Sequence, residues 1–130
     1  MRRSFTVVAL IAGIAITTAA APIVKGWELL GERAVKDRVD HDVISVTARE
    51  GAFKQIKLTV HRRGVDFRRV VVHFGNGDDQ TINMKGTIRA GGETRAIDLE
   101  GAERNIRSVE FWYDSNSRGA QAIVRLYGKS

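Results

Sequence analysis

Two short clusters carry enough side-chain oxygen to interest a hard cation. "DRVDHD" holds Asp37, Asp40, His41 and Asp42, and "GNGDDQ" holds Asn76, Asp78 and Asp79. Calcium takes about six to eight oxygen ligands, and loops that meet at one end of a β-sandwich can supply them. Asp40, Asp42, Asn76, Asp78 and Asp79 are therefore the candidate calcium ligands. Their spacing is not that of an EF-hand, and Asp and Asn also serve simply as turn formers, bonding nearby backbone N–H groups. The chain has three histidines, His41, His61 and His73, the number of protein ligands at many catalytic zinc sites. Read as a hairpin, the runs around Ile56–Val60 and Val70–Phe74 put His61 near the loop and His73 toward the far end. Each strand residue rises about 3.3 Å, so a shared zinc ion is disfavoured.

A second set of residues suits binding. In "IRSVEFWYDSNSRG", Val109, Phe111 and Tyr113 fall on one face of an extended strand and Glu110 and Trp112 on the other. An exposed Trp112 could stack on a sugar ring or a partner surface, with Tyr113 and Glu110 beside it. The alternative is that Trp112 merely covers the sheet near a rim or packs beneath the "DSNSRG" loop. Lys57, His61, Arg69 and His73 are placed on one outer face of two neighbouring strands, joined by Arg62, Arg63 and Arg68 at the connection. Such a patch attracts phosphate, sulfate or uronate groups and weakens as salt rises. It serves equally well to solubilise a sheet face and discourage edge pairing.

Catalytic patterns are absent. There is no "GxSxG" elbow, and a Ser–His–acid triad is defined by geometry, not by order in the chain. Glu110 and Asp114 are a carboxylate pair of the kind that cleaves glycosides, given a substrate groove. In "RAGGETRAIDLEG" the pair Gly91 and Gly92 reads as a tight hairpin turn. No helix follows it to add the N-terminal donors of a phosphate cradle.

The elements that must position these residues follow from composition and period. A chain of 130 residues with 43% hydrophobic and 28% charged residues is the size and make-up of one globular domain. Its 21 Lys and Arg against 15 Asp and Glu give a net charge of +6, which favours polyanionic partners. The two signs are interspersed, and the basic residues carry no aromatic ladder, so nucleic acid is not the expected partner. The absence of cysteine removes disulfides, thiolate metal sites, thiol nucleophiles and lipoprotein attachment.

Arg2 and Arg3 precede an uncharged stretch from Ser4 to Val24 that ends in "TTAAAP". A basic start, an apolar segment and small residues at the end make a secretory signal peptide. Residues 1–20 are assigned to it, with cleavage after Ala20, which makes Thr18 the third residue back from the cut. An uncleaved anchor is the alternative, since the stretch is close to the ~20 residues a bilayer needs. If cleaved, the mature protein has no membrane span. "RRSF" also resembles part of a twin-arginine signal, but lacks its usual flanks. Residues 21–26 form a short linker and 27–130 a single domain.

Beyond the signal, apolar residues recur at every second position between Gly, Asp and Asn clusters. In "KQIKLTVH", Ile56, Leu58 and Val60 alternate with Lys57, Thr59 and His61; in "RRVVVHF", Val70, Val72 and Phe74 alternate with Arg69, Val71 and His73. Similar runs span Trp27–Leu30, Val43–Val46, Gln80–Met84, Arg95–Leu99, Ile106–Tyr113 and Ala120–Tyr127. About eight strands spaced roughly 8–14 residues apart predict an all-β, antiparallel two-sheet sandwich with jelly-roll-like connections.

The stretches "WELLGERAV", "DHDVISV", "VVHFGNGD", "AGGETRAIDLEG" and "IRSVEFWYDSNSRG" resemble those of a family of small secreted bacterial proteins of unknown function. The resemblance runs from about Trp27 to Tyr127 and implies export and an all-β fold. It supplies no catalytic residue, cofactor or substrate. The expected function is a non-catalytic binding module of the periplasm, cell envelope or extracellular space, with no required cofactor beyond calcium at the acidic loops. Its ligand is expected to be an anionic glycan or envelope polymer bound by Trp112, Tyr113, Glu110, Arg62, Arg63, Arg69 and His73. The alternatives are a small envelope hydrolase working through Asp or Glu with calcium, and an accessory subunit docking a protein partner. A binding module needs an exposed aromatic or basic patch, a hydrolase a concave pocket with convergent carboxylates, and a subunit an apolar patch or open strand edge.

Overall fold

Each apolar alternation becomes a strand in the computed structural model, which describes residues 26–35, 41–46, 52–101, 103–114 and 121–130. The strands are β1 (Glu28–Val35), β2 (His41–Ser45), β3 (Gln55–His61), β4 (Val65–Phe74), β5 (Asp79–Ile88), β6 (Ile97–Asp98), β7 (Ile106–Asp114) and β8 (Ala122–Lys129). The signal segment assigned to residues 1–20, the linker up to residue 25, Asp40 and the 115–120 loop lie outside the described residues.

Pairing is nested. β4 pairs with β5 across the 75–78 turn, β3 with β6, β2 with β7 and β1 with β8, all antiparallel. Rolling that long nested hairpin brings β8 beside β3 and β7 beside β4. Two four-stranded sheets result, β1-β8-β3-β6 and β2-β7-β4-β5. This is the jelly-roll form of the sandwich.

The inward positions of both sheets fill the space between them. Ile56, Leu58 and Val60 on β3 and Val124 and Leu126 on β8 face Val70 and Val72 on β4 and Val109 and Phe111 on β7, all fully buried. Phe67, Phe111 and Tyr113 form an aromatic cluster, with ring centroids 5.8 Å apart for the first pair and 5.7 Å for the second. Gly31 lets β1 approach β2 of the other sheet, because a Cβ there would stand 2.6 Å from Ile44 Cγ2.

The expected hairpin between the third and fourth strands does not form. The connection from His61 to Val65 crosses from one sheet to the other, turning at Arg62, whose φ is 76°. Short connections do not require strands to be sheet neighbours; here the nested long-range pairing decides the neighbours. Lys57 and His61 are therefore on the outer face opposite to that of Arg69 and His73. Lys57 is buried there, its Nζ donating to Glu93 at 3.1 Å and lying 4.6 Å from the Trp27 ring centre.

Candidate functional site

The outward positions of the β2-β7-β4-β5 sheet form three rows. The register aligns His41, Trp112, Arg69 and Asn83 in the first, and Val43, Glu110, Val71 and Thr81 in the second. Ser45, Ser108, His73 and Asp79 make the third. A bulge between Phe67 and Arg69 breaks the alternation of β4, so Arg68 and Arg69 are both exposed. Bulges of this kind re-aim side chains and are common beside functional sites.

In the first row, His41 and Arg69 reach Trp112 from the two strands that flank it. The His41 ring centre is 4.7 Å from that of Trp112, and the Arg69 guanidinium carbon is 3.9 Å from the indole centre. Trp112 is half-buried under these neighbours. That corrects the expectation of a bare tryptophan for sugar stacking: what the row offers to solvent is the guanidinium laid on the indole. Among the described residues Arg69 pairs with no carboxylate.

The next two rows are joined by a chain of hydrogen bonds. His41 Nε2 lies 2.5 Å from Glu110 Oε2, and His73 Nε2 lies 2.7 Å from Glu110 Oε1. His73 Nδ1 lies 2.6 Å from Asp79 Oδ1. Ionised carboxylates only accept, so both contacts are hydrogen bonds together only when His73 is protonated and donates from both nitrogens. Its hydrogen bond to Glu110, aided by Asp79, raises its pKa above the ordinary 6.5 against the effect of burial. The same bond, with help from His41, lowers the Glu110 pKa below its ordinary 4.5. A raised histidine stabilises the fold below its unfolded value and loses that contribution as pH rises through the folded one; a depressed carboxylate stabilises above its unfolded value. Both contributions are therefore in force between the two ordinary values, and thermal melting across pH 4–9 should show this cluster losing stability above about pH 6.5.

At the bulged end of the face, Arg68 donates to Asp114 through Nε at 2.9 Å and Nη2 at 2.8 Å. A shallow depression of about 370 Å³ opens beside this pair, lined by Asp66, Phe67, Arg68, Met84, Gly86 and Asp114.

The structure thus brings together Trp112, Glu110, Arg69 and His73 from the expected binding set. Tyr113 is not among them. It is buried in the core, where its hydroxyl donates to Asp42 Oδ2 at 2.8 Å. Arg62 and Arg63 sit in the connection before β4, at least four strand residues, or about 13 Å, from Arg69. His41 and Asp79 belong to the face although neither was assigned to it. Outward parity in the short run "HDVIS" was the available signal for His41, but nothing local says that β2 lies against β7.

The described members of the two acidic clusters do not converge. Among the described residues, Asp42 pairs with Phe111 toward one end of β7, and the 75–78 turn lies beyond the His73 end of β4. Asp42 is buried and accepts from Arg33 Nε at 3.0 Å as well as from Tyr113. Asn76 and Asp78 form a turn, Asn76 Oδ1 accepting from the Asp78 N–H at 3.0 Å. Arg104 Nη2 donates to Asn76 Oδ1 at 3.1 Å and Asp78 Oδ2 at 3.2 Å while its guanidinium carbon stacks 3.8 Å from the Phe74 ring centre. The chain's own guanidinium stands where the calcium was expected, and Asp79 bonds His73. Among the described residues, no three of His, Asp and Glu are grouped to hold a metal ion. His61 stands apart on the other sheet, 3.0 Å from Thr59 Oγ1.

No described helix is long and apolar enough to cross a membrane. No curated protein sequence matches the chain. Among solved structures, Pseudomonas aeruginosa AlgX is similar in fold, with a TM-score of 0.53 at 15% sequence identity. The match covers 79% of this chain and 27% of that one, so this chain corresponds to about a quarter of AlgX. The DUF2541 pattern, described as a domain of unknown function, matches residues 4–128. The chain therefore belongs to the DUF2541 family.

Proposed function

We propose that the protein is an exported, non-catalytic binding module of the cell envelope or extracellular space, and that its ligand is an anionic glycan or similar polymer held on the outer face of the β2-β7-β4-β5 sheet. The observation that carries this reading is Arg69. Its guanidinium is exposed, over the Trp112 ring, and without a carboxylate partner among the described residues. A guanidinium pre-oriented by stacking loses little freedom when it binds a planar anion through two N–H donors. The net charge of +6 adds long-range attraction for a polyanion. Export rests on the basic start and apolar stretch of residues 2–24.

The test is binding of the full-length protein to polygalacturonate and heparin, with neutral dextran as control, at low and moderate salt. Wild type should bind the polyanions, more weakly as salt rises. Arg69→Ala should lose about 10- to 100-fold in affinity, the worth of one charge-assisted bidentate contact. Equal affinity in wild type and Arg69→Ala would remove this site from the reading. No binding to either polymer would favour a protein partner.

A further inference from the structure

We propose that the proton on His73 gates the Arg69–Trp112 shelf, so that an anionic ligand binds in mildly acidic medium and is released as the medium turns alkaline. This rests on the reading of that shelf as the ligand contact.

The geometry of His73 makes it a two-state element. With both nitrogens protonated it bridges Asp79 of β5 and Glu110 of β7. Without one proton, a nitrogen lone pair faces a carboxylate oxygen at 2.6 or 2.7 Å. Two acceptors cannot share that distance, so the ring must part from one carboxylate.

Two consequences reach Arg69, and both have the same sign. The first is electrostatic. The groups facing His73 are Asp79 from β5, Glu110 from β7 and His41 from β2, with Arg69 on its own strand and Arg107 exposed at the bulge before Ser108. Loss of the proton makes this cluster one unit more negative. Glu110 is one row from Arg69, about 7 Å, which is inside the screening length of about 10 Å at 0.1 M salt. An anionic ligand at Arg69 then meets an uncompensated carboxylate.

The second consequence is positional. Glu110 holds His73 with one oxygen and His41 with the other. His41 in turn packs against Trp112, on which Arg69 lies. When the carboxylate that His73 parts from is Glu110, that carboxylate is held by His41 alone and is free to turn, so the ring that props Trp112 is less firmly anchored. The shelf is ordered when His73 is charged and loosened when it is neutral.

The experiment measures affinity of the full-length protein for polygalacturonate at pH 5.5, 7.0 and 8.5 at constant ionic strength, beside NMR titration of the His73 ring and the Trp112 indole N–H. Affinity should fall about fivefold or more across this range, within the span usual for linked sites, and the Trp112 signal should move with the His73 midpoint. His73→Gln, which cannot carry the charge, should bind weakly at every pH. Asp79→Asn leaves His73 a single carboxylate partner and should move the midpoint of both curves to lower pH, an effect that a purely structural role for Asp79 would not produce. Binding that depends on Arg69 but is flat with pH in wild type overturns the gate and leaves the ligand reading standing. A wild type that binds at no pH overturns both.

Discussion

Replacing Phe111 with alanine should lower unfolding free energy by about 3–5 kcal/mol, the cost of deleting a buried aromatic ring from a close-packed core. Phe111 is fully buried. It sits in the middle of β7, which is paired on both sides, by β2 and by β4. Its ring makes an edge contact with Phe67 and a tilted one with Tyr113, so the cavity would be lined by two rigid rings that collapse poorly. For a domain of this size the midpoint of thermal unfolding should fall by about 15 °C or more. Urea titration of wild type and variant checks it directly. A loss below about 1 kcal/mol would mean that β7 is not the centre of the sheet. The result matters for the binding face because Glu110 and Trp112 are the outward neighbours of Phe111. The same strand that anchors the core presents the site.

The parity that puts Phe111 inside is what made part of the site legible in the sequence. Alternation in "RRVVVHF" turns Arg69 and His73 outward, and alternation in "IRSVEFWYD" does the same for Glu110 and Trp112. These four residues meet because their strands are neighbours, which alternation does not say. Their adjacency comes from the nested pairing of strands more than 30 residues apart, such as Val71 with Glu110. The short connection after His61 suggested a hairpin instead, and it carried Lys57 and His61 to the wrong face. The bulge at Phe67–Arg69 is a second kind of hidden fact, since strict period two would turn Arg68 inward. Tyr113 was the opposite case. Its parity with Val109 and Phe111 places it in the core, and only its aromatic character suggests a ligand contact. The acidic "GNGDD" turn was legible as a turn, whereas its cation, Arg104, is 26 residues away from Asp78.

Asp42→Ala should cost about 2–3 kcal/mol, the second-largest loss expected, because it removes the acceptor of a buried donor. Asp42 lies on the inward side of β2, where one oxygen accepts from the Tyr113 hydroxyl and the other from Arg33. The Arg33 side chain is 56% exposed, so that ion pair contributes little, and most of the loss comes from removing the carboxylate that accepts from the buried Tyr113 hydroxyl. Asp42→Asn keeps an acceptor for Tyr113 and should cost about half as much. Tyr113→Phe in the Asp42→Ala background should cost less than Tyr113→Phe in wild type, because the bond to Asp42 is already gone. Among the described residues β2 pairs with β7 alone, and its five residues hold to the sandwich largely through Asp42 and Ile44. His41 precedes Asp42 directly, and loosening β2 should also draw His41 off Trp112 and weaken polyanion binding in a variant that is still folded. Urea unfolding of the three variants, with polygalacturonate affinity measured on each, checks both halves of the argument. If instead calcium raised the melting temperature of wild type and Asp42→Ala abolished that rise, Asp42 would be a metal ligand, and the buried Tyr113 bond would not explain why this carboxylate stands where it does.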